Sequence, residues 1–504
     1  MDIVVHNAPV APLLKLQQAW KNPTSFEQLS FGQDVSEQDP NLSKYFIATD
    51  TYRKAKTGQK SVIIGPKGSG KSAILHALSE LPEPDLRWHC IVITPETFAT
   101  SVLQRFLHDS EATGEEQEAF ASAWIFTILF EVFTRVCDKA SGSSKKSLKR
   151  IEQFLLSHAE YRDCDLFTRF VQRLASIEKI KIGPFEISVK TRELQRLYSL
   201  EEVYSLIPDL RSALQEDVLV LIDELDQGWD NTEHSNRFVA SLMRAAIRVQ
   251  SLDLRIRVIA FLRSEIFDIV KDSLDQLDKL RSGIEILRWD RNSLAGVLIR
   301  RVAFSMNVTL EDVDLAFINT IFPEAAGGLS GFDYLLSRTT MRPREVLQFA
   351  RLAHQKACES HSSAITRNAL LRAEEEFSYW KVEHLCSEYR AIFPKIGDLL
   401  ATFRRAGPVM PKAEVASIVQ RYLDEAGSTV PTWANVSTAD LIQRLYQVEF
   451  LGIERMSRSA NTNFMANFEF AMDRPTANTR GEETFIIHPA FWYALETPDA
   501  TGSR

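Results

Sequence analysis

The sequence predicts an α/β fold: a parallel sheet with helices between its strands, followed by helical modules and a β-containing C-terminal domain. Two observations predict it. Five short, mainly aliphatic runs lie at 61–64, 90–94, 218–222, 256–262 and 284–287, and all but the second are followed by Gly, Asp or Arg. Such runs suit strands buried on both faces of a sheet, and helical patterns lie between them. Beyond about residue 290 the strand signals stop, and the spacing of Leu294, Val297, Leu298 and Val302 is that of an amphipathic helix.

The elements follow in order. Residues 1–50 read as an N-terminal segment and 51–289 as the sheet-bearing core. The 100–215 stretch is helical in pattern and reads as a large insertion. Within it, Ala119 to Phe130 is twelve residues without a charge, too short for the ~20 that span a bilayer. It is expected to be a buried helix, and no membrane partner is expected. The insertion also carries a Ser141-Gly-Ser-Ser loop with Lys145, Lys146, Lys149 and Arg150 after it, read as a solvated loop with a polyanion contact as the alternative. An alternating stretch at 179–190 reads as a hairpin. Residues 290–384 form a helical domain. In 385–504, helices near 413–423 and 439–448 precede period-two alternation through Phe464, Ala466, Phe468, Phe470 and Met472 and the run from Phe485 to Pro489. Helices followed by a β-ribbon suggest a winged helix.

Composition bounds the function. The chain has 504 residues, 45% hydrophobic and 25% charged, with 59 basic against 67 acidic residues and a net charge of −8. This is the composition of an ordinary folded chain, and bulk charge does not favour coating nucleic acid or anionic membrane. Any polyanion site is therefore local. The N-terminus lacks the basic region of a secretory signal, and five scattered cysteines form no CxxC pair. Both features lead to the expectation of a cytoplasmic protein with reduced thiols.

The sharpest motif is Gly65-Pro66-Lys67-Gly68-Ser69-Gly70-Lys71-Ser72, between an aliphatic run and a helix-forming one. Glycines at these positions let backbone N–H groups converge on phosphate oxygens at a helix N-terminus. Lys71 would reach the β- and γ-phosphates and Ser72 would ligate Mg²⁺, which makes ATP and Mg²⁺ the expected cofactors. The run at 218–222 ends in Asp223-Glu224-Leu225-Asp226. Asp223 would hold the metal through water, and Glu224 would orient or deprotonate the attacking water. Asp226 reads as a secondary metal or subunit contact or as a solvated loop aspartate. A third run ends at Arg263, placed to meet the γ-phosphate from a strand beside that of Asp223, or to pair with Glu224 or Glu265. Finally, Arg342-Pro343-Arg344 opens a helix, where cations oppose the macrodipole, so an anion is expected nearby. A nucleotide phosphate met by Arg342 or Arg344 is the functional reading, and a solvent-exposed helix start the other.

Together these elements resemble the additional-strand class of P-loop ATPases, in its AAA-type (origin-recognition-like), STAND and KAP branches. The chain is most similar to a bacterial stand-alone P-loop ATPase family of anti-phage and mobile-element loci. The pattern runs from Phe31-Gly32 through Tyr45-Phe46 to the glycine-rich loop, Ile-Asp-Glu-Leu-Asp, Phe-Leu-Arg and Arg-Pro-Arg. The resemblance implies a helical lid at 290–384, a sensor role for Arg263, a second sensor in Arg342/Arg344, a C-terminal winged helix, and assembly as a homo-oligomer or hetero-complex. The chain departs from it in spacing, since Lys71 and Asp223 are 152 residues apart, which puts a standard hexameric ring in doubt. Leu329-Ser330-Gly331 lies after Asp223 and so is not an ABC-type signature.

Two functions compete. One is Mg²⁺-dependent ATP hydrolysis coupled to a conformational change that engages nucleic acid or a partner effector, in anti-phage defence or DNA transactions. The other is a STAND-like assembly switch with slow hydrolysis, acting through protein partners. Residues 386–504 carry 12 basic and 14 acidic residues, so the candidate nucleic-acid contacts narrow to Arg444, Arg455 and Arg458, with protein docking as the alternative. His488 reads as a structural histidine.

Overall fold

The computed structural model describes residue 20 and residues 26–80, 88–94, 114–139, 146–162, 169–170, 200–214, 216–224, 229, 231–271, 274, 277–308, 314–390, 392–426, 436–455, 467–474 and 477–498. The loop at 141–144 with Lys145, the hairpin expected at 179–190, Asp226 and Arg458 lie outside the described residues. The chain divides into two compact units, 48–288 and a second that joins residues 1–47 to 289–504.

All five aliphatic runs of the first unit are strands: β1 (Val62–Gly65), β2 (Trp88–Ile93), β3 (Asp217–Ile222), β4 (Ile256–Arg263) and β5 (Ile284–Ile286). They form one parallel sheet in the order β2-β3-β4-β1-β5. Aliphatic side chains suit this position because β1 and nearly all of β3 and β4 are buried. The Glu233–Leu252 helix packs on β4 and on the long Gly114–Lys139 helix of the insertion. Thr232 caps its first turn, accepting from Ser235 N–H. The expected buried helix is that long one. Its Glu118–Lys139 part is apolar enough to cross a membrane, but 78% of its apolar window is buried in the unit's core. Trp124, Phe126 and Phe130 are completely enclosed there. The insertion continues as the helices Lys146–Ser157, Leu200–Ser205 and Ile207–Ala213, so Lys146, Lys149 and Arg150, expected on a loop, are helical, and Arg150 pairs with Asp209 (2.5 Å).

The second unit has one continuous apolar core, running from Phe26 and Phe31 through the helices Arg291–Ser305, Pro343–Glu359 and Arg367–Glu388 to the C-terminal sheet. Phe31-Gly32 is tied into it by arginines. Arg301 donates to Phe31 O (2.8 Å), Gln33 O (2.9 Å) and Asp39 Oδ2 (3.1 Å), and Arg351 donates to Gly32 O (2.9 Å). Gly32 has φ +69°, and a Cβ there would sit 2.5 Å from the Arg301 guanidinium. Both facts require glycine. The Arg367–Glu388 helix runs straight through position 384/385.

The C-terminal part has winged-helix topology. The helix Ile396–Ala401 is followed by β6 (Val409–Pro411), helices Lys412–Ala426 and Thr438–Gln447, then β7 (Leu451–Glu454), β8 (Phe468–Glu469) and β9 (Thr484–Ile487). The sheet is antiparallel in the order β6-β9-β7-β8. The alternating run yields only the two-residue β8 among the described residues, because residues 470–473 turn back, with Asp473 N–H donating to Phe470 O.

A buried ionic network lies inside this unit. Glu374, Ser378, Lys381 and Glu388 form a polar stripe on the inward face of one helix, all buried. Lys381 Nζ donates to Glu345 Oε1, whose side chain also accepts from Thr340 N–H (2.7 Å). Burial raises the Glu345 carboxyl, but Lys381, Arg342 and these bonds overcome it and bring the group down to about 2. A depressed carboxylate contributes stability that is fully present above its unfolded value near 4.3. That contribution is lost as pH falls through the folded value. Glu345→Gln is therefore expected to destabilise the chain by about 3–5 kcal/mol at neutral pH, because it breaks a buried pair from one side. Urea unfolding of both proteins at pH 7 and pH 3 measures this, and the difference should shrink at the lower pH.

Candidate nucleotide site

The site forms where β1 ends. Gly68 (φ +80°) and Gly70 (φ +97°) take left-handed backbone that side chains disfavour, and a Cβ on Gly65 would lie 2.5 Å from Ser69 Oγ. The loop therefore closes tightly only with glycine at these three places. Ser69 N–H donates to Pro66 O (3.2 Å), and the helix Lys71–Glu80 begins with Ile74 N–H donating to Gly70 O (3.1 Å). Its first-turn N–H groups have no partner further back in the helix, which makes the cradle suited to an anion. Lys67 stands within the turn. The Lys71 side chain folds back over the loop and donates to Gly65 O (2.7 Å) and Pro66 O (3.1 Å), so its ammonium lies against the loop.

The other half of the site comes from β3 and β4. Asp223 follows β3, is nearly enclosed, and its N–H donates to Ile93 O of β2 (3.1 Å). Ser72 Oγ donates to Asp223 Oδ2 (3.4 Å), so the two side chains expected to serve Mg²⁺ meet across 151 residues of sequence. Carboxylate and hydroxyl oxygens are hard donors of the kind that cation takes, so the residues present fit it. Asp223 Oδ1 accepts from Glu224 N–H (2.8 Å). Glu224 itself has φ +62°, a conformation costing a non-glycine residue roughly 1–3 kcal/mol. Strain of this kind collects at sites whose geometry is over-determined.

Arg263 ends β4 and stands at the N-terminal boundary of the Ser264–Val270 helix without a side-chain capping bond. β4 lies between β1 and β3, pairing Ile222 with Ala260 and Gly65 with Arg263. The strand of Arg263 is thus beside that of Asp223, and Arg263 itself lies level with the first residue of the loop.

The Arg342/Arg344 pair belongs to the second unit, and the structure corrects one member of it. Arg342 is buried, its guanidinium bonded to both oxygens of Glu388 (3.1 and 3.0 Å) and to Glu449 Oε2 (3.2 Å). Burial works against its charge, yet Glu388, Glu449 and Glu345 together hold its pKa well above the ordinary value. The anions that offset cations at this helix N-terminus are protein carboxylates, so Arg342 is not a nucleotide contact. Arg344 is half-buried and donates to Asp34 O (3.4 Å). On the winged helix, Arg444 stacks over Phe393 (5.9 Å to the ring centroid), and Arg455 ties β7 to β8 by donating to Phe468 O (3.1 Å). Arg455 stays exposed, while Arg444 is half-buried. His488 is structural, its Nδ1 accepting from Ala490 N–H (3.1 Å), and burial lowers it to about 3.

A parallel sheet in which β4 separates the glycine-rich loop's strand from that of Asp223 defines a P-loop NTPase fold of the additional-strand type. Comparison with known proteins finds several likenesses. Residues 292–386 match a family described as the FunZ-associated C-terminal helical domain. Over 478 residues the chain is 25% identical to the putative transposon gamma-delta 80.3 kDa protein of Escherichia coli K12, an alignment spanning 92% of this chain and 66% of that protein's length. A shorter stretch of 149 residues, 29% of the chain, is 26% identical to allergen Alt a 2 of Alternaria alternata and spans 78% of it. Among solved structures, the Aeropyrum pernix ORC1 protein in complex with DNA matches over 91% of this chain and 94% of its own, at 11% identity and TM-score 0.34. Cdc6p from Pyrobaculum aerophilum matches over 91% and 96%, at 10% identity and TM-score 0.30. Likenesses this loose leave the fold to be read from the strand order above.

Proposed function

We propose that the chain is a Mg²⁺-dependent ATPase whose nucleotide cycle drives a conformational change that engages nucleic acid or a partner effector. One observation carries the reading: Ser72 and Asp223, from separate elements, converge at the mouth of a complete glycine-rich loop. In this reading the loop N–H groups and Lys71 bind the phosphates, Ser72 and Asp223 hold Mg²⁺, and the metal supplies charge neutralisation on the phosphate oxygens. Glu224 holds the attacking water and accepts its proton. Arg263 stabilises charge on the γ-phosphoryl group from the neighbouring strand. Arg344 remains the proposed reporter of the γ-phosphate on the second unit.

Winged-helix topology and a relative named as a transposon protein support DNA as the engaged partner, with Arg444, Arg455 and Arg458 as contacts. The name of that relative also supports a place in mobile-element functions. The STAND-like switch is the second reading, favoured by the Phe-Leu-Arg end of β4 at Arg263. ATP turnover with and without duplex DNA separates the two: DNA-stimulated turnover supports the first, and slow, DNA-indifferent turnover with ATP-driven change in mass supports the second. Arg263→Ala is expected to leave ADP affinity within about twofold and to lower turnover by roughly 10²-fold, the scale of losing one donor to transition-state charge. Calorimetric ADP binding beside phosphate release checks both.

A further inference from the structure

The helix pair Lys412–Ala426 and Thr438–Gln447 has the order of a helix-turn-helix, whose second helix lies in a DNA major groove when such units bind. Leu441, Ile442, Leu445 and Tyr446 of that helix are buried. Helical spacing therefore puts Asp440, Gln443, Arg444 and Gln447 on its outward face. Residues 477–483, which lead into β9, bond to two of these four. Resting on the reading of DNA as the engaged partner, we propose that residues 477–483 are an autoinhibitory strap, which has to leave the outward face before duplex DNA can enter.

Gln443 is held at two points. Its Nε2 donates to Ala477 O (2.9 Å), and its Oε1 accepts from Thr479 N–H and from the Thr479 hydroxyl (both 2.9 Å). The strap thus takes the donor and the acceptor that a glutamine offers an adenine edge in the major groove. Arg480 donates to Asp440 Oδ1 (3.3 Å) on the same face. Just ahead of the strap, the Tyr446 hydroxyl donates to Arg474 O (2.8 Å). At its far end Lys412, which opens the first helix of the pair, donates from its N–H to Glu483 O (2.9 Å) and from its ammonium to Arg480 O. The strap therefore engages both helices, and its Ala477 and Thr479 are almost completely enclosed.

What fastens the strap is of a kind that DNA can replace. The bonds to Gln443 join neutral groups, and the Arg480–Asp440 pair is exposed on both sides, so each contributes modestly. Ala477 is the one apolar side chain in 477–483, so hydrophobic burial adds little. Charge gives the cover its inhibitory sense. Two glutamates, Glu482 and Glu483, against one arginine leave the strap with a net charge of −1, set where phosphates would approach.

Ala477→Gln sets a larger neutral side chain in an enclosed position, which lifts the strap without altering charge. Fluorescence anisotropy is measured on the full chain with a duplex randomised over about twenty base pairs, two helical turns. The Ala477→Gln chain is expected to bind at least about tenfold more tightly than the unaltered one. Equal affinities overturn the strap and leave DNA as the partner through another surface. Tighter binding by the unaltered chain makes the segment part of the DNA surface and overturns the strap as well. Binding by neither chain overturns both the strap and the DNA reading. Amide exchange on the unaltered chain reads the same release without a substitution. The Thr479 N–H, bonded to Gln443 in the closed state, should exchange at least about tenfold faster with saturating duplex present. Unchanged or slower exchange at that amide overturns the proposal, even where Ala477→Gln fails to fold.

Discussion

Lys71→Ala is expected to weaken ATP binding by about 10- to 150-fold, the loss of a hydrogen bond to a charged group at roughly 1.5–3 kcal/mol. The ammonium lies against Gly65 O and Pro66 O, and in the proposed complex it exchanges those carbonyls for β- and γ-phosphate oxygens. The exchange is favourable because phosphate carries full charge and a carbonyl does not. The loop itself should survive the change. Its shape depends on Gly65, Gly68 and Gly70 and on the Ser69 to Pro66 bond, none of which involves the lysine side chain. The checking measurement is calorimetric titration with ATP and with AMP. The loss should fall on ATP, because AMP lacks the phosphates that Lys71 is proposed to reach, while the melting temperature stays near that of the unaltered chain.

Glu224→Gln should separate binding from chemistry. The amide keeps the size of the side chain and can still hold a water, but it cannot take a proton, so turnover is expected to fall by about 10²- to 10⁴-fold with ATP affinity retained. The substitution is conservative for the backbone as well, since glutamine at φ +62° meets the same steric cost that glutamate does. Asp223→Asn should behave differently. It weakens the partner of Ser72 and should make ATP binding less dependent on Mg²⁺. Filter binding of labelled ATP beside single-turnover phosphate release distinguishes the two variants. Equal, mild losses in both would contradict the division of roles.

The glycine-rich loop was legible in the sequence because its constraints are local: each required glycine follows from a backbone angle or a close approach within a few residues. The five sheet strands were legible for a related reason, since burial on both faces leaves uninterrupted aliphatic runs such as 218–222 that little else in a helical insertion imitates. The position of Arg263 followed from the strand order that such a sheet adopts. Arg342 was misread because its partners are 46 and 107 residues away. The local argument was sound in requiring an anion at that helix start, but it could not distinguish a phosphate from a glutamate folded in from elsewhere. A usable signal existed in the polar stripe of Glu374, Ser378, Lys381 and Glu388. Its helical spacing on an otherwise apolar face marks a buried ionic network, and such a network needs counter-charges. The left-handed backbone at Glu224 had no sequence signal, because the position does not carry the glycine or asparagine that usually marks one.

The most direct test of the central claim, that Gly65–Ser72 with Asp223 and Glu224 is a working ATPase centre, is multiple-turnover release of phosphate from ATP. It is measured on the full chain, with Mg²⁺ and with chelator, beside Lys71→Ala and Glu224→Gln. The account predicts Mg²⁺-dependent release by the unaltered chain and its near-complete loss in both variants, with ATP still bound by Glu224→Gln. Release that persists in both variants, or an unaltered chain that binds no ATP, would contradict it.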